Sequence, residues 1–393
     1  MPANLGVLAS IVGLILVAIV SVDLVNGRLP FVGGNNGGGP AGSGGPGGAI
    51  KTPTASNVVV VDPRQNVPGS ILYVKDGNIW VQTGGKATQL TGGGLDSQPT
   101  WSPDGRFIYF VRDTPEFGHF PLGGVVRGYD LQIPTLERMA PDGSGIHAIL
   151  TGRYAYSSYV WSFFIQQPSI SPDGRTAAII TDGPNPNLSD IRLKFVDLRT
   201  GAITDPHLAD IGGLGQQDPS FSPDGSSVAY VRNARVGPKG AAVVVRYALA
   251  TKAVRQMTGP GYIQPAWSPD SRFLAVTAPS TTGTDIVIID ARTGSEVLRL
   301  TNDGNSFDPV WSPAGNAIAF QRIEQGVVDL WLVSLVGTGP SWQVGPSIQL
   351  TLSAGIDATS RESWFIPPNE LPSPAPTAES GGQATPSASP GQT

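Results

Sequence analysis

Five segments of this chain repeat one pattern at a nearly fixed period. They read QPTWSPDGRFIYF (98–110), QPSISPDGRTAAI (167–179), DPSFSPDGSSVAY (218–230), QPAWSPDSRFLAV (264–276) and DPVWSPAGNAIAF (308–320). Self-similarity at this period is the signature of a propeller or solenoid, so it restricts the fold before any single residue is weighed. In each copy a short strand ends in a large side chain: Trp101, Ile170, Phe221, Trp267 or Trp311. Ser-Pro-Asp-Gly follows and suits a type I turn, with Pro presetting φ at the second position. An alternating apolar strand comes next. Successive Ser-Pro pairs lie 69, 51, 46 and 44 residues apart. The last three spacings fit one four-stranded blade each, and the first fits a blade with an insertion.

A second series of marks closes the units: QLT (89–91), ILT (149–151), AIT (202–204), RQMT (255–258), RLT (299–301) and QLT (349–351). Six endings against five openings leave residues 71–91 without an opening strand. Segment 356–366 (IDATSRESWFI) is expected to provide it, because a ring closed by its far end leaves no unpaired sheet edge. The expectation is an all-β, six-bladed propeller over residues 58–366.

The Pro-x-Trp-Ser-Pro-Asp-Gly opening with its Leu-Thr ending resembles the TolB-type, WD-like β-propeller repeat over roughly residues 69–366. That resemblance implies an envelope protein that binds a lipoprotein partner through its propeller. The family carries an α/β domain before the propeller, whereas here the preceding region reads as an anchor and a glycine tether. A role in the Tol system itself is therefore not implied. A lyase of the same superfamily uses histidines and a glutamine around a divalent metal. His119, His147 and His207 fall on a predicted loop, an outer strand and another loop with no shared repeat position, so no metal site and no cofactor are expected. Neither a G-x-S-x-G nor an H-E-x-x-H motif occurs, and the chain reads as a non-enzyme.

Residues 5–22 contain no charge, and 18 residues make about 27 Å of helix. Residues 1–25 are read as an uncleaved signal-anchor, single-pass, with the propeller extracytoplasmic. A cleaved signal peptide is the competitor, but no Lys or Arg precedes the apolar run. Small residues at Gly6/Ser10 and Ala9/Gly13 permit weak helix self-association. Residues 26–57 form a linker with ten glycines among positions 33–48, spanning roughly 30 Å r.m.s.. The Pro/Ser/Thr/Ala-rich tail, 367–393, lacks the apolar residues needed to fold. A net charge of −5 gives no basic footprint for nucleic acid.

The turn aspartates Asp104, Asp173, Asp224 and Asp270 are expected to bond nearby backbone N–H groups, and the recurring Trp residues to pack between blades. Function is expected where the repeat is interrupted. Segment 113–131 reads as the connection between strands two and three of its blade, and 152–166 as the connection to the next. Both lie on one face and hold Phe117, His119, Phe120, Tyr154, Tyr156, Tyr159, Trp161 and Phe163. These aromatics fold over one another, stay exposed as a binding patch, or divide between the two. The leading expectation is a membrane-tethered module that binds an envelope or surface protein. The alternatives are a carbohydrate-active enzyme and a passive surface protein.

Overall fold

The structure is a computed structural model that describes residues 62–122, 124–186, 190–208, 215–233 and 242–372. The anchor (1–25), the linker (26–57) and all but the first residues of the tail lie outside the described residues. No helix among the described residues is long and apolar enough to cross a membrane.

Six four-stranded antiparallel sheets make the ring. Counting from the axis outward, the second blade runs Asp96–Trp101, Ile108–Leu122, Val125–Met139 and His147–Thr151. The third to sixth blades begin on Gln166–Ile170, Gln216–Phe221, Ile263–Trp267 and Ser306–Trp311. The first blade is assembled from both ends of the fold. Ser363–Phe365 pairs antiparallel with Ser70–Lys75, in the register Ser70 to Phe365, Ile71 to Trp364 and Leu72 to Ser363. The C-terminal closing strand is therefore present where the count of openings and endings requires it.

The repeat residues act as local chemistry dictates. In the second blade Ser102 Oγ donates to Asp104 Oδ1 at 2.8 Å, and the same oxygen accepts the Arg106 N–H at 3.1 Å. Asp173, Asp224 and Asp270 repeat this arrangement. The turn's last position is left-handed, with φ of 69° at Gly105 and 59° at Ser271, which is why glycine usually stands there. The closing Thr acts over a longer range. Thr91, Thr258, Thr301 and Thr351 each accept, through Oγ1, a backbone N–H at the start of the third strand. The Leu-Thr ending thus ties the rim of each blade back to its middle.

Packing is between blades. One apolar cluster sits at each of the six seams. Trp267 packs against Ala229, Val231 and Val244 of the preceding blade, and its Nε1 donates to Ser220 O at 3.0 Å. Trp101, Trp267 and Trp311 are at most 9% exposed, so these side chains build seams. At the closing seam Trp364 joins Ile71 and Tyr73 to Leu330 and Leu332. Burying each such aliphatic side chain contributes about 1.5–3 kcal/mol.

Two details differ from the sequence-based expectation. Segment 113–131 is strand over Ile108–Leu122 and Val125–Met139, with a turn at Gly124, so His119 lies on a strand rather than a loop. Residues 368–370, read as the start of the tail, form a 3-10 turn.

Candidate binding face

The second blade's middle strands run far beyond the sheet. Ile108–Leu122 and Val125–Met139 pair without a break from Ile108–Met139 to Leu122–Val125, forming a paddle that rises from the ring. Pro115, Pro121 and Pro134 are tolerated because the projecting part is a two-stranded ribbon with open edges, where a missing N–H forfeits no ladder bond. At its root Asp96 accepts Arg112 Nε at 2.6 Å, and Arg112 also meets Glu137 at 3.3 Å. Burial pushes the carboxyl of Glu137 above the usual range, opposed by Arg112.

A second hairpin, Arg153–Tyr156 with Tyr159–Ser162, leans on the paddle. A Cβ on Gly118 would stand 2.6 Å from Val160 O, so glycine is what lets the two backbones approach. Between them Phe120 lies 5.3 Å from Trp161 and 6.5 Å from Tyr154, while Tyr129 meets Trp161 edge-on at 5.0 Å. Arg153 clamps Glu116 with two-pronged geometry. That pair is solvent-exposed and worth little by itself.

The eight aromatic candidates separate by depth. Phe163 is buried in the seam between the second and third blades. Phe120 is buried beneath the second hairpin, and Tyr154, Tyr159 and Trp161 are half-buried. Phe117 and Tyr156 stand out at 62% and 63% exposure, and Val125 and Val126 at the far end of the paddle are exposed as well. His119 is exposed and edge-on to Phe117 at 5.0 Å. Tyr129 belongs to the same cluster but carries no mark in the sequence, where nothing announces that it stands opposite Gly118.

The same face holds the mouth of the axial channel, a cavity of about 1070 Å³ lined by Gln98, Gln167, Asp218, Gln264, Asp308 and Arg361. These residues occupy one position in the six inner strands, just before the Pro of the five openings and before Glu362 at the closing strand. The first five adopt φ between 52° and 55°, at a bulge where each inner strand changes register. That conformation costs roughly 1–2 kcal/mol per residue, and the return is a relay around the ring. Gln98 Oε1 accepts the Gln167 N–H at 2.6 Å, and Gln167 Oε1 accepts the Asp218 N–H at 2.7 Å. Asp218 Oδ2 accepts the Gln264 N–H at 3.2 Å, and Gln264 Oε1 accepts the Asp308 N–H at 3.1 Å. At the sixth position Arg361 cannot accept, so it donates to Asp308 at 3.1 Å, and Ser360 Oγ takes the Gln98 N–H at 3.1 Å. Burial raises the Asp218 carboxyl to about 6, with Arg361 opposing.

His119, His147 and His207 are not brought together, and among the described residues no group of three or more His, Asp or Glu is placed to hold a metal ion. Both described ends of the chain emerge on the opposite face. Gln65–Ser70, Pro367 and Glu370 line a cleft there with Gly84, Gly105 and Pro141.

No family model matches the chain. An uncharacterised protein of Agrobacterium fabrum is 31% identical over 155 residues, which span 38% of this chain and 44% of that protein's length. Among solved structures, TolB of Acinetobacter baumannii superposes with a TM-score of 0.54 at 17% identity, covering 75% of this chain and 66% of that one. A TolB-like structure from Agrobacterium tumefaciens gives 0.54 at 16% identity, covering 77% and 95%. A chain of a nidogen–laminin complex gives 0.53 at 9% identity, covering 76% and 98%. The fold is the TolB-type six-bladed β-propeller.

Proposed function

We propose that this protein is a membrane-tethered, extracytoplasmic interaction module whose paddle face holds a protein partner at the cell envelope. The observation that carries the reading is the division of the paddle's aromatics. Phe120, Trp161 and Tyr129 pack between the two hairpins and stiffen them, and Phe117, Tyr156, Val125 and Val126 remain in solvent around that packing. Apolar side chains held on a pre-ordered scaffold lose little entropy on binding, and Tyr and Phe are effective anchors.

The described chain begins at Asp62, and the residues just after it line the face opposite the paddle. TolB propellers and the nidogen–laminin chain share the architecture, and the latter is seen within a protein–protein complex.

The test is capture from envelope extract with the full chain and with a Phe117→Ser/Tyr156→Ser variant, alongside the buried control Phe120→Ala. The reading requires a partner retained by the wild type and lost from the surface variant at unchanged Tm. Equal capture by the wild type and the surface variant refutes the paddle as the docking site.

A further inference from the structure

The prolines that follow the relay residues are buried at five inner strands: Pro99, Pro168, Pro219, Pro265 and Pro309. At the sixth, the closing strand, the corresponding residue is Glu362, only 2% exposed. Neither of its carboxyl oxygens has a hydrogen-bond partner. Beside it lies Gln321 of the sixth blade, fully buried, whose Nε2 is committed to Ser360 O at 2.9 Å and Asp357 O at 3.3 Å. Gln321 Oε1 is likewise without a partner. The seam therefore gathers three buried acceptor oxygens and no donor bonded to any of them.

The charged groups around this point do not supply one. Arg361, next in the chain, points its Nε to Asp308 and its Nη1 to Pro265 O, and its buried Nη2 has no partner, reaching none of the three oxygens. Asp308, on the inner strand of the sixth blade, adds negative charge near Glu362, and Asp357 and Asp218 add more around Asp308 and Arg361. A buried carboxylate facing other acceptors is strongly disfavoured, whereas a neutral carboxylic acid brings its own donor.

We propose that Glu362 is held as a neutral carboxylic acid whose proton fills the missing donor at the closing seam, making ring closure a proton-dependent latch. Burial first, and Asp308 second, push this carboxyl well above its ordinary 4.5, against weaker opposition from its own backbone N–H, the Gln321 amide and Arg361. A group raised in the folded state contributes stability that is complete below its unfolded value and lost as pH rises through its folded value. Alkalinisation therefore weakens the join between the last blade and the first, beside the channel mouth.

The test compares the full chain with Glu362→Gln, whose amide supplies the donor permanently, and with Glu362→Pro, which restores the sequence of the other five strands. Unfolding equilibria are followed from mildly acidic to mildly alkaline pH. The ratio of wild-type to Glu362→Gln unfolding constants should rise about tenfold per pH unit within the titration window. Difference infrared spectra should show a protonated-carboxyl stretch in the wild type that Glu362→Gln lacks. Glu362→Pro, where it folds, should track Glu362→Gln. Parallel pH profiles for wild type and Glu362→Gln, or no protonated-carboxyl band near neutrality, overturn the proposal. So does a wild-type Tm lowered by a chelator, since a bound cation would then occupy the gap.

Discussion

Gln167 is the most exacting place to test the relay around the channel. Its side chain accepts the Asp218 N–H at 2.7 Å and donates Nε2 to Asp218 Oδ1 at 2.7 Å, while its own N–H is held by Gln98. Gln167→Ala leaves a buried backbone donor unpaired, at about 1–3 kcal/mol, and removes a hydrogen bond to a carboxylate, at about 1.5–3 kcal/mol. A loss of roughly 3–5 kcal/mol follows, before any water refills the gap. The loss should grow with pH. Asp218 titrates at about 6, so the bond to its charged form counts fully only above that value. Gln167→Gly is the internal control: with φ of 54° at this position, glycine relieves backbone strain and should lose about 1 kcal/mol less than alanine. Urea unfolding of the full chain on both sides of pH 6, with the slope checked for constancy, reads all three quantities. A loss below about 0.5 kcal/mol for alanine, or no advantage of glycine over alanine, refutes the relay as a structural bond.

Other consequences are open to measurement. Trp364→Ala empties the closing seam and removes the donor to Pro68 O, so it should cost about 3–5 kcal/mol by chemical denaturation. Thr351→Val leaves the Leu330 N–H without its acceptor and should cost about 1–3 kcal/mol, read as a lower thermal midpoint. Asp182, raised to about 6 by burial, accepts the Phe164 N–H. Its folded value exceeds its unfolded one, so its contribution falls as pH rises from about 4 to 6, and Asp182→Asn should flatten the stability profile across that interval.

Much of the ring is legible in the sequence because each mark has one local cause. Ser-Pro-Asp-Gly forms its turn from its own side chains, and Leu-Thr closes a bond within its own blade. The closing strand follows from counting, even though Ser363–Phe365 keeps only Ser363 and Trp364 of the repeat. The paddle is harder. Pro115, Gly118 and Pro121 are loop signals by any local rule. They become strand residues only because the ribbon has free edges and because Gly118 receives the backbone of a second hairpin, a contact between segments distant in sequence. The relay shows the opposite failure. Gln or Asp before Pro is visible in every opening, but its role depends on a positive φ and on the next blade's N–H, neither of which the pattern announces. The depth of Phe163 in a seam, against the exposure of Tyr156, likewise depends on which side of the second hairpin each residue falls.

The closing strand also sets an order of events during synthesis. Ile71 and Tyr73 are among the first ring residues to leave the ribosome, yet their inner neighbour, Trp364, is nearly the last. At bacterial or eukaryotic elongation rates that interval is roughly 15–60 s. Throughout it the first blade presents an apolar face and an unpaired edge. The nascent ring is thus most vulnerable to aggregation and proteases just before completion, and a chain stopped short of residue 363 would never leave that state.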